Sequence, residues 1–186
     1  DFLQKPQGND MNVDSIFSTS QKVQSAIALA YSQSLASGID ISGWDGNRVY
    51  GLTGSTLGHI SGEYNDVKYS WEDGWKIQRS GMTADDGSGK PRTDDGFNFN
   101  FVSIRQNNLI IENIDKVSDM PANEKEQVKA EMKTLTAYRY EEMFKRYGGV
   151  PIVTKSLTAA DSIKIPRASL KRTLDFIVKL CDEAAS

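Results

Sequence analysis

Histidine and cysteine are almost absent from this 186-residue chain, which has one of each, His59 and Cys181. A single histidine excludes a His-based metal cluster, and a single cysteine excludes an internal disulfide and a Cys-rich zinc site. No run approaches the roughly 20 apolar residues that a membrane-spanning helix needs. The net charge of -3 shows no block of one sign, which argues against nucleic acid and against a basic membrane-binding patch.

The length suits one ordinary domain that packs its own core. The chain opens at Asp1 without the charged and apolar regions of a signal peptide, so we expect any signal peptide to have been removed. At the other end, a helical pattern from Leu170 to Ala185 stops at Ser186 without a Gly or Pro stop signal. We therefore expect the sequence to be cut from a longer chain.

Apolar residues at helical spacing predict four helices and no large sheet. The predicted ranges are 19–37, 98–117, 122–147 and 167–184. Ser18 and Gln21 stand in capping-box positions before the first helix. Gly148, in the run Gly148-Gly149-Val150-Pro151, is predicted to adopt a left-handed conformation that ends the third helix. In the last helix the predicted inward side consists of Leu170, Leu174, Ile177, Val178 and Cys181.

Residues 39–96, called the aromatic segment below, have a different composition. Twelve of the fifteen glycines lie between Gly38 and Gly96, with all three tryptophans. An irregular segment of this length is either functional or contains short strands or helical turns. The candidates for such elements are residues 49–52 and 69–77. The sequence thus divides into a helix (19–37), the aromatic segment (39–96) and helical hairpins (98–186), and its fold class is mainly α.

Residues that could perform catalysis are scattered and lack the required context. His59 has Ser55 and Ser61 nearby, but no Gly-x-Ser-x-Gly elbow is present. The carboxylates Asp85, Asp86, Asp94 and Asp95 match neither a calcium loop nor the fixed pair of a glycosidase. We predict no enzyme activity, no metal site and no cofactor. A glycan-processing enzyme that uses loop carboxylates is the alternative from this class.

Aromatic and polar side chains alternate within the aromatic segment. Sugar rings offer flat C–H faces and a rim of hydroxyls, which suit aromatic planes flanked by amide, carboxylate and guanidinium groups. The predicted ligand-binding residues are Trp71, Trp75, Asn65, Asp73 and Arg79. The alternative is that these rings only pack the segment onto the helices, as large aromatic residues commonly do.

Two blocks of sequence carry a family resemblance. Glu131, Leu135, Ala137, Tyr138 and Tyr140, followed by Arg146-Tyr147-Gly148-Gly149-Val150-Pro151, resemble the SusD/RagB signature. Ile165-Pro166-Arg167-Ala168-Ser169 and Asp175-Phe176-Ile177 resemble the next block of that family. Departures from the pattern fall at Thr136, Glu141 and Leu180-Cys181, which we interpret as packing positions.

The resemblance implies that residues 1–186 are the amino-terminal region of a mainly helical protein with tetratricopeptide-like hairpins, two to three times as long as this chain. It also implies a surface lipoprotein of the bacterial outer membrane, held only through a lipid anchor outside this chain. The implied function is non-catalytic binding of glycans for import through a SusC-like TonB-dependent transporter. The alternatives are a helical scaffold that docks the transporter without contacting sugar, and a surface protein for a non-sugar nutrient.

Overall fold

The computed structural model describes residues 13–35, 97–158, 161 and 164–186, and within these ranges the chain is helical with no strand. The helices are α1 (Val13–Ile16), α2 (Ser20–Leu35), α3 (Phe97–Asn113), α4 (Ala122–Tyr147) and α5 (Leu170–Ala185), and a 3-10 turn (Ile114–Lys116) extends α3. The four predicted helices are confirmed, and α1 is an addition to them. The aromatic segment lies outside the described residues.

The start of α2 is capped from a distant part of the chain. The carboxylate of Asp119, in the connection between α3 and α4, accepts from the Ser20 backbone N–H at 2.7 Å and from its hydroxyl at 3.0 Å. The Ser18 hydroxyl instead donates to the Ser15 carbonyl at 2.9 Å. The capping box predicted from Ser18 and Gln21 is therefore wrong, because a carboxylate fixed by the tertiary fold occupies the helix start.

One apolar core joins the first half of the bundle. It lies between α1, α2, α3 and the first half of α4, and its buried members are Phe17, Val23, Ile27, Ala30, Ile110, Ile114, Val117, Met120, Val128, Met132 and Leu135. A second core joins α3, the second half of α4, the following loop and α5 through Ile104, Ala137, Tyr140, Met143, Val150, Val153 and Ile177. The long helix α4 thus contributes to both cores and connects them.

Glycine is required where α4 ends. Gly148 has φ 68° and ψ -119°, and its N–H donates to the Phe144 carbonyl at 2.9 Å. The positive φ is confirmed, whereas ψ lies outside the left-handed helical region. A Cβ on Gly149 would lie 2.0 Å from the Ala168 carbonyl oxygen, so the backbone before α5 approaches too closely for any side chain.

The last helix begins at Leu170, three residues later than predicted. The Ser169 side chain caps it by accepting from the Arg172 N–H at 3.2 Å, which fixes Ser169 outside the helix. Arg167, predicted to be helical, instead donates to the carbonyls of Tyr147 at 2.6 Å and Gly149 at 2.9 Å. This side chain therefore satisfies carbonyl groups at the end of α4.

The predicted inward side of α5 is largely wrong. Ile177 is buried, but Leu170, Leu174, Val178 and Cys181 are exposed. The side packed against α4 instead carries Thr173, Phe176, Ile177 and Leu180. At 100° per residue the apolar positions of α5 cover roughly 200° of its circumference, about twice the stripe that one partner covers. Periodicity alone gave no means of choosing the half that α4 covers.

Candidate functional site

The five predicted ligand-binding residues lie outside the described residues. These are Trp71, Trp75, Asn65, Asp73 and Arg79. The structure describes the frame to which their segment is attached, because α2 ends at Leu35 and α3 starts at Phe97. We call this junction the stem, and it consists of Gln33, Ser34, Asn100, Ser103 and Arg139.

Arg139, on α4, is the centre of the stem. It is 1% exposed, and its guanidinium donates to the Gln33 carbonyl at 3.2 Å and to the Ser34 carbonyl. It also donates to the Asn100 side-chain oxygen at 3.2 Å. Carbonyl groups in the last turn of a helix carry partial negative charge, so they attract a cation. One side chain therefore binds the end of α2 and the start of α3 together.

Burial lowers the pKa of Arg139, while the neighbouring Tyr138 and Glu142 act in the opposite direction. The guanidinium nevertheless stays protonated, because its ordinary pKa lies far above neutrality. Glu142 is itself buried and pairs with Lys145 at 2.7 Å, not with Arg139. The hydrogen bonds of the Arg139 guanidinium thus go to two helix-end carbonyls and an amide oxygen, and its carbon lies 5.4 Å from the centre of the Tyr138 ring.

Further buried polar groups extend the stem into the bundle. The Ser103 hydroxyl donates to the Gln33 carbonyl at 3.0 Å. The Asn107 amide donates to the hydroxyls of Ser34 at 3.3 Å and Thr136 at 3.2 Å. Helices α2, α3 and α4 are therefore joined by hydrogen bonds as well as by apolar packing. Because a hydrogen bond requires a particular distance and angle between donor and acceptor, these bonds fix how the three helices are oriented.

The family departures have different structural roles. Thr136 is buried, accepts from Asn107 and donates to the Met132 carbonyl at 2.8 Å, which confirms it as a packing position. Glu141 instead forms a surface ion pair with Lys145 at 2.8 Å. Cys181 is exposed. The packing interpretation is therefore wrong for Glu141 and Cys181, whereas Leu180 packs against the second core.

The loop after α4 is fastened to α3 by side chains of that helix. Asn108 donates to the Val153 carbonyl at 3.3 Å, and Arg105 donates to the Leu157 carbonyl at 3.1 Å. The Glu112 carboxylate accepts from the Ser156 N–H at 2.8 Å. These bonds satisfy backbone groups that have no sheet or helix partner, and they fix the loop in one position.

A shallow groove of about 460 Å³ runs between α2 and α4. Its walls carry amides and carboxylates over two apolar side chains, and the lining residues are Gln24, Ile27, Asn123, Glu124, Gln127, Val128 and Glu131. None of these is aromatic, so the groove offers hydrogen bonds to a ligand but no stacking plane. Its chemistry differs from that of the predicted aromatic site.

The described part of the chain holds no cluster of three or more His, Cys, Asp or Glu side chains that could bind a metal ion. Within the same ranges no helix is long and apolar enough to cross a membrane.

The stem residues are absent from the predicted site. Asn100, Ser103 and Asn107 recur at intervals of three and four, which places them on one helix face. That polar stripe was the available signal, but polar stripes usually face solvent. The partners of Arg139 lie 105 and 106 residues away in the sequence, so no local pattern predicts these hydrogen bonds.

Comparison with known proteins gives a consistent family. The chain matches a SusD-like family described as starch-binding and associating with the outer membrane, over residues 1–186. A SusD-like protein of Bacteroides fragilis has 26% identity and a TM-score of 0.67, over 95% of this chain and 30% of its own.

Two further solved structures share the fold at lower identity. A SusD-like carbohydrate-binding protein of Bacteroides fragilis has 19% identity and a TM-score of 0.64, over 92% of this chain and 32% of its own. A laminarin-binding SusD-like protein has 18% identity and a TM-score of 0.67, over 90% of this chain and 34% of its own. The chain thus spans about a third of the length of these structures. Among curated proteins, none matches this chain.

Proposed function

This chain belongs to the SusD-like family, and from that premise we propose that its protein binds glycans at the cell surface without catalysis. The observation that carries the proposal is the family match over all 186 residues. The carbohydrate-binding and laminarin-binding relatives support the same ligand class. Glycan binding needs surface aromatic rings and hydrogen-bonding groups and requires no bond to be broken.

We place the ligand surface in the aromatic segment, on Trp71 and Trp75 with Asn65, Asp73 and Arg79. The support is compositional, since planar rings and paired donors or acceptors crowd into fifteen residues. Residues four apart share a face in a helix and also in a strand, so either geometry allows the two rings to act on one sugar chain.

The bound glycan is passed to a SusC-like TonB-dependent transporter for import, and a lipid anchor holds the protein at the outer membrane. The family description, which places its members at the outer membrane, supports this location. A surface location also suits the ligand, because polymers must be captured before they can enter a pore.

The proposal is tested by measuring the binding of a panel of glycans to the full-length protein. The panel includes starch, because the family is described as starch-binding, and laminarin, because a related structure binds it. Titration calorimetry should give saturable binding to at least one polymer. Trp71→Ala and Trp75→Ala should weaken that binding and change stability by about 0.5 kcal/mol or less if the rings are exposed. Trp44→Ala, in the same segment but outside the predicted set, is the matched control.

Two results would overturn the assignment of the aromatic site. One is unchanged affinity in both variants. The other is a loss of about 3 to 5 kcal/mol of stability, because truncation of a buried aromatic ring has that effect. Absence of binding to every polymer would remove the glycan proposal itself.

A helical scaffold that docks the transporter without touching sugar is the second candidate. The observation that favours it is the exposed apolar half of α5, with Leu170, Leu174 and Val178. If this face contacts the transporter, Leu174→Asp should abolish co-purification with the transporter, and under this candidate the wild-type protein should bind no polymer of the glycan panel. Lys179→Asp, on the polar side of the same helix, is the control.

A further inference from the structure

Helix α5 has two apolar surfaces, and α4 covers only one of them. The other surface runs along the whole helix, and its five exposed residues are Leu170, Leu174, Val178, Cys181 and Ala185. At 100° per residue these positions fall within about 80° of the circumference, so they form one continuous stripe. At 1.5 Å per residue the stripe is roughly 24 Å long. We call it the outer stripe.

The outer stripe differs from an ordinary solvent-facing helix surface. Leu170, Leu174 and Val178 are 60%, 47% and 50% exposed. All six charged residues of α5 lie elsewhere on the helix, between about 100° and 220° from Leu170. The longer helix α4, by contrast, exposes no large apolar side chain among those that the structure describes. A continuous apolar stripe without charges is typical of a helix surface that contacts another part of a protein.

Contacts on the opposite side of α5 hold the outer stripe outside the bundle. The Thr173 hydroxyl accepts from the Val150 N–H at 3.3 Å, and the Phe176 ring meets Tyr140 at 5.1 Å. Near the end of α5, Glu183 pairs with Lys133 of α4 at 3.1 Å. A rotation of α5 that buried the stripe would break all three contacts. The stripe can therefore be covered only by a further partner.

We propose that in the full-length protein the segment that follows Ser186 forms a helix and packs antiparallel along the outer stripe. The related structures share the fold of this chain, which spans about a third of their length. Elements that are consecutive in sequence usually pack side by side, and a short connection makes two helices antiparallel. Because α5 ends at Ala185, a helix that starts just after it can run back along the whole stripe.

The spacing of the outer stripe fits a helix as its partner. Its residues stand at positions i, i+4, i+8, i+11 and i+15, which is the seam that one neighbouring helix covers. The stripe carries no charge with which an ion pair could form, so the partner helix should present apolar side chains to it. Its class is therefore an amphipathic helix, not a charged segment.

Covalent attachment favours this partner over a separate protein. A segment joined to Ser186 is held beside the stripe at a high effective concentration. A second copy of the chain, or a transporter, would lose translational and rotational freedom on binding to the same surface. The attached helix therefore covers the stripe first. This inference does not rest on the proposed glycan, because none of its steps involves a ligand.

The test measures how fast N-ethylmaleimide modifies Cys181 in the folded full-length protein, with the modified residue located by mass spectrometry. The matched control is a thiol introduced by Leu29→Cys on α2. Leu29 is 47% exposed, as Leu174 is, but Ser25 and Ser32 lie beside it on the helix surface, so it belongs to no apolar stripe. In the 186-residue chain alone, both thiols are expected to react readily, because both positions are exposed.

In the full-length protein we expect Cys181 to react at least about 100-fold more slowly than the control thiol, since a covered thiol reacts only after local opening. Leu174→Asp places a charge in the proposed contact, so it should raise the Cys181 rate by at least about tenfold. Leu29→Asp should leave that rate unchanged. If the Leu174 variant does not fold, the comparison of Cys181 with the control thiol in otherwise wild-type protein still decides the question.

Two results would overturn the proposal. Equal rates for Cys181 and the control thiol would show that the outer stripe is free in the full-length protein, which leaves it to a transporter. Protection of Cys181 that disappears on dilution, as light scattering shows a dimer becoming a monomer, would assign the stripe to a second copy of the protein. Neither result bears on glycan affinity, so the proposed function and this inference can fail separately.

Discussion

The Tyr140 hydroxyl accepts a hydrogen bond from the backbone N–H of Val153 at 2.7 Å, with both residues buried. This bond joins α4 to the loop that follows the Gly148 turn, and the Tyr140 ring meets Phe176 of α5 edge to face at 5.1 Å. A family signature residue thus connects three parts of the second core. Its oxygen and its ring have separate roles, which substitution can distinguish.

Tyr140→Phe keeps the ring and leaves the Val153 N–H buried without its partner. We expect a loss of about 1 to 3 kcal/mol in the free energy of unfolding, measured by urea denaturation. Tyr31→Phe is the control, because Tyr31 is only partly buried and its hydroxyl bonds to Glu131 near the surface. Equal losses of unfolding free energy in the two variants would show that the buried hydrogen bond of Tyr140 stabilises the protein no more than the partly exposed one of Tyr31.

Alkaline pH should destabilise the protein partly through Tyr140. Burial raises the pKa of Tyr140 to about 12, from 10.0. The folded state therefore favours the neutral phenol. The contribution of Tyr140 to the free energy of unfolding is complete below pH 10.0 and is lost as the pH rises toward 12. Unfolding free energies measured across that range should fall less steeply for Tyr140→Phe than for wild type, because phenylalanine has no proton to lose.

Asp119 should contribute to acid sensitivity. Its bond from the Ser20 backbone N–H is the main cause that holds the pKa of Asp119 below its usual 3.8. A lowered folded pKa gives stability that is present above the unfolded value and disappears as pH falls through the folded one. Asp119→Ala should therefore unfold more easily than wild type at neutral pH, and the two should converge below 3.8.

Asp175→Asn is the control for this experiment. Asp175 forms an exposed pair with Lys171 at 2.6 Å within one helix, whereas Asp119 joins two parts of the chain. Thermal melts of both variants at neutral and acid pH suffice. A difference between Asp119→Ala and wild type that is the same at every pH would contradict a role for the ionised carboxylate.

The two glycines after α4 should differ in their tolerance of a side chain. A Cβ at Gly149 meets a backbone oxygen at 2.0 Å, whereas a Cβ at Gly148 meets the Leu170 side chain at 2.9 Å, and Leu170 is exposed and can move. Gly149→Ala should therefore destabilise more than Gly148→Ala. Gly148→Val should lose more than about 1 kcal/mol, because a branched side chain resists positive φ.

A double variant separates the causes at Gly148. Leu170→Ala removes the nearby side chain, so any loss that persists in Gly148→Ala with Leu170→Ala arises from the positive φ of 68°. That remainder should be about 1 to 3 kcal/mol by urea denaturation, as for other residues held in sparsely populated backbone conformations. Full recovery of stability in the double variant would show that crowding alone requires glycine.

Cys181 should react readily in the folded protein. It lies on the exposed side of α5, so a thiol reagent should modify it without prior unfolding. Cys181→Ser should change stability by about 0.5 kcal/mol or less, as surface substitutions usually do. Modification that occurs only in urea would place Cys181 in a buried position. A loss of several kcal/mol in the serine variant would have the same meaning.

The sequence by itself determined the helices and the turn at Gly148. Helical spacing is a local property, and the apolar residues of α4 from Val128 to Met143 mark its inward face without reference to distant parts of the chain. A Gly-Gly-Val-Pro run likewise ends a helix through its own backbone restrictions. The family resemblance also depends on local sequence, because its residues lie within α4 and in the Gly-Gly-Val-Pro run.

Only the tertiary structure decided which surfaces meet. Asp119 caps Ser20 across 99 positions, and Arg139 reaches Ser34 across 105, so neither bond leaves a periodic trace in the sequence. On α5 the apolar positions spread over more of the helix than α4 can cover, and contact with α4 alone selects Ile177 over Val178. The physical reason is that an apolar side chain specifies burial but not its partner, whereas a hydrogen bond specifies a partner that only folding brings within reach.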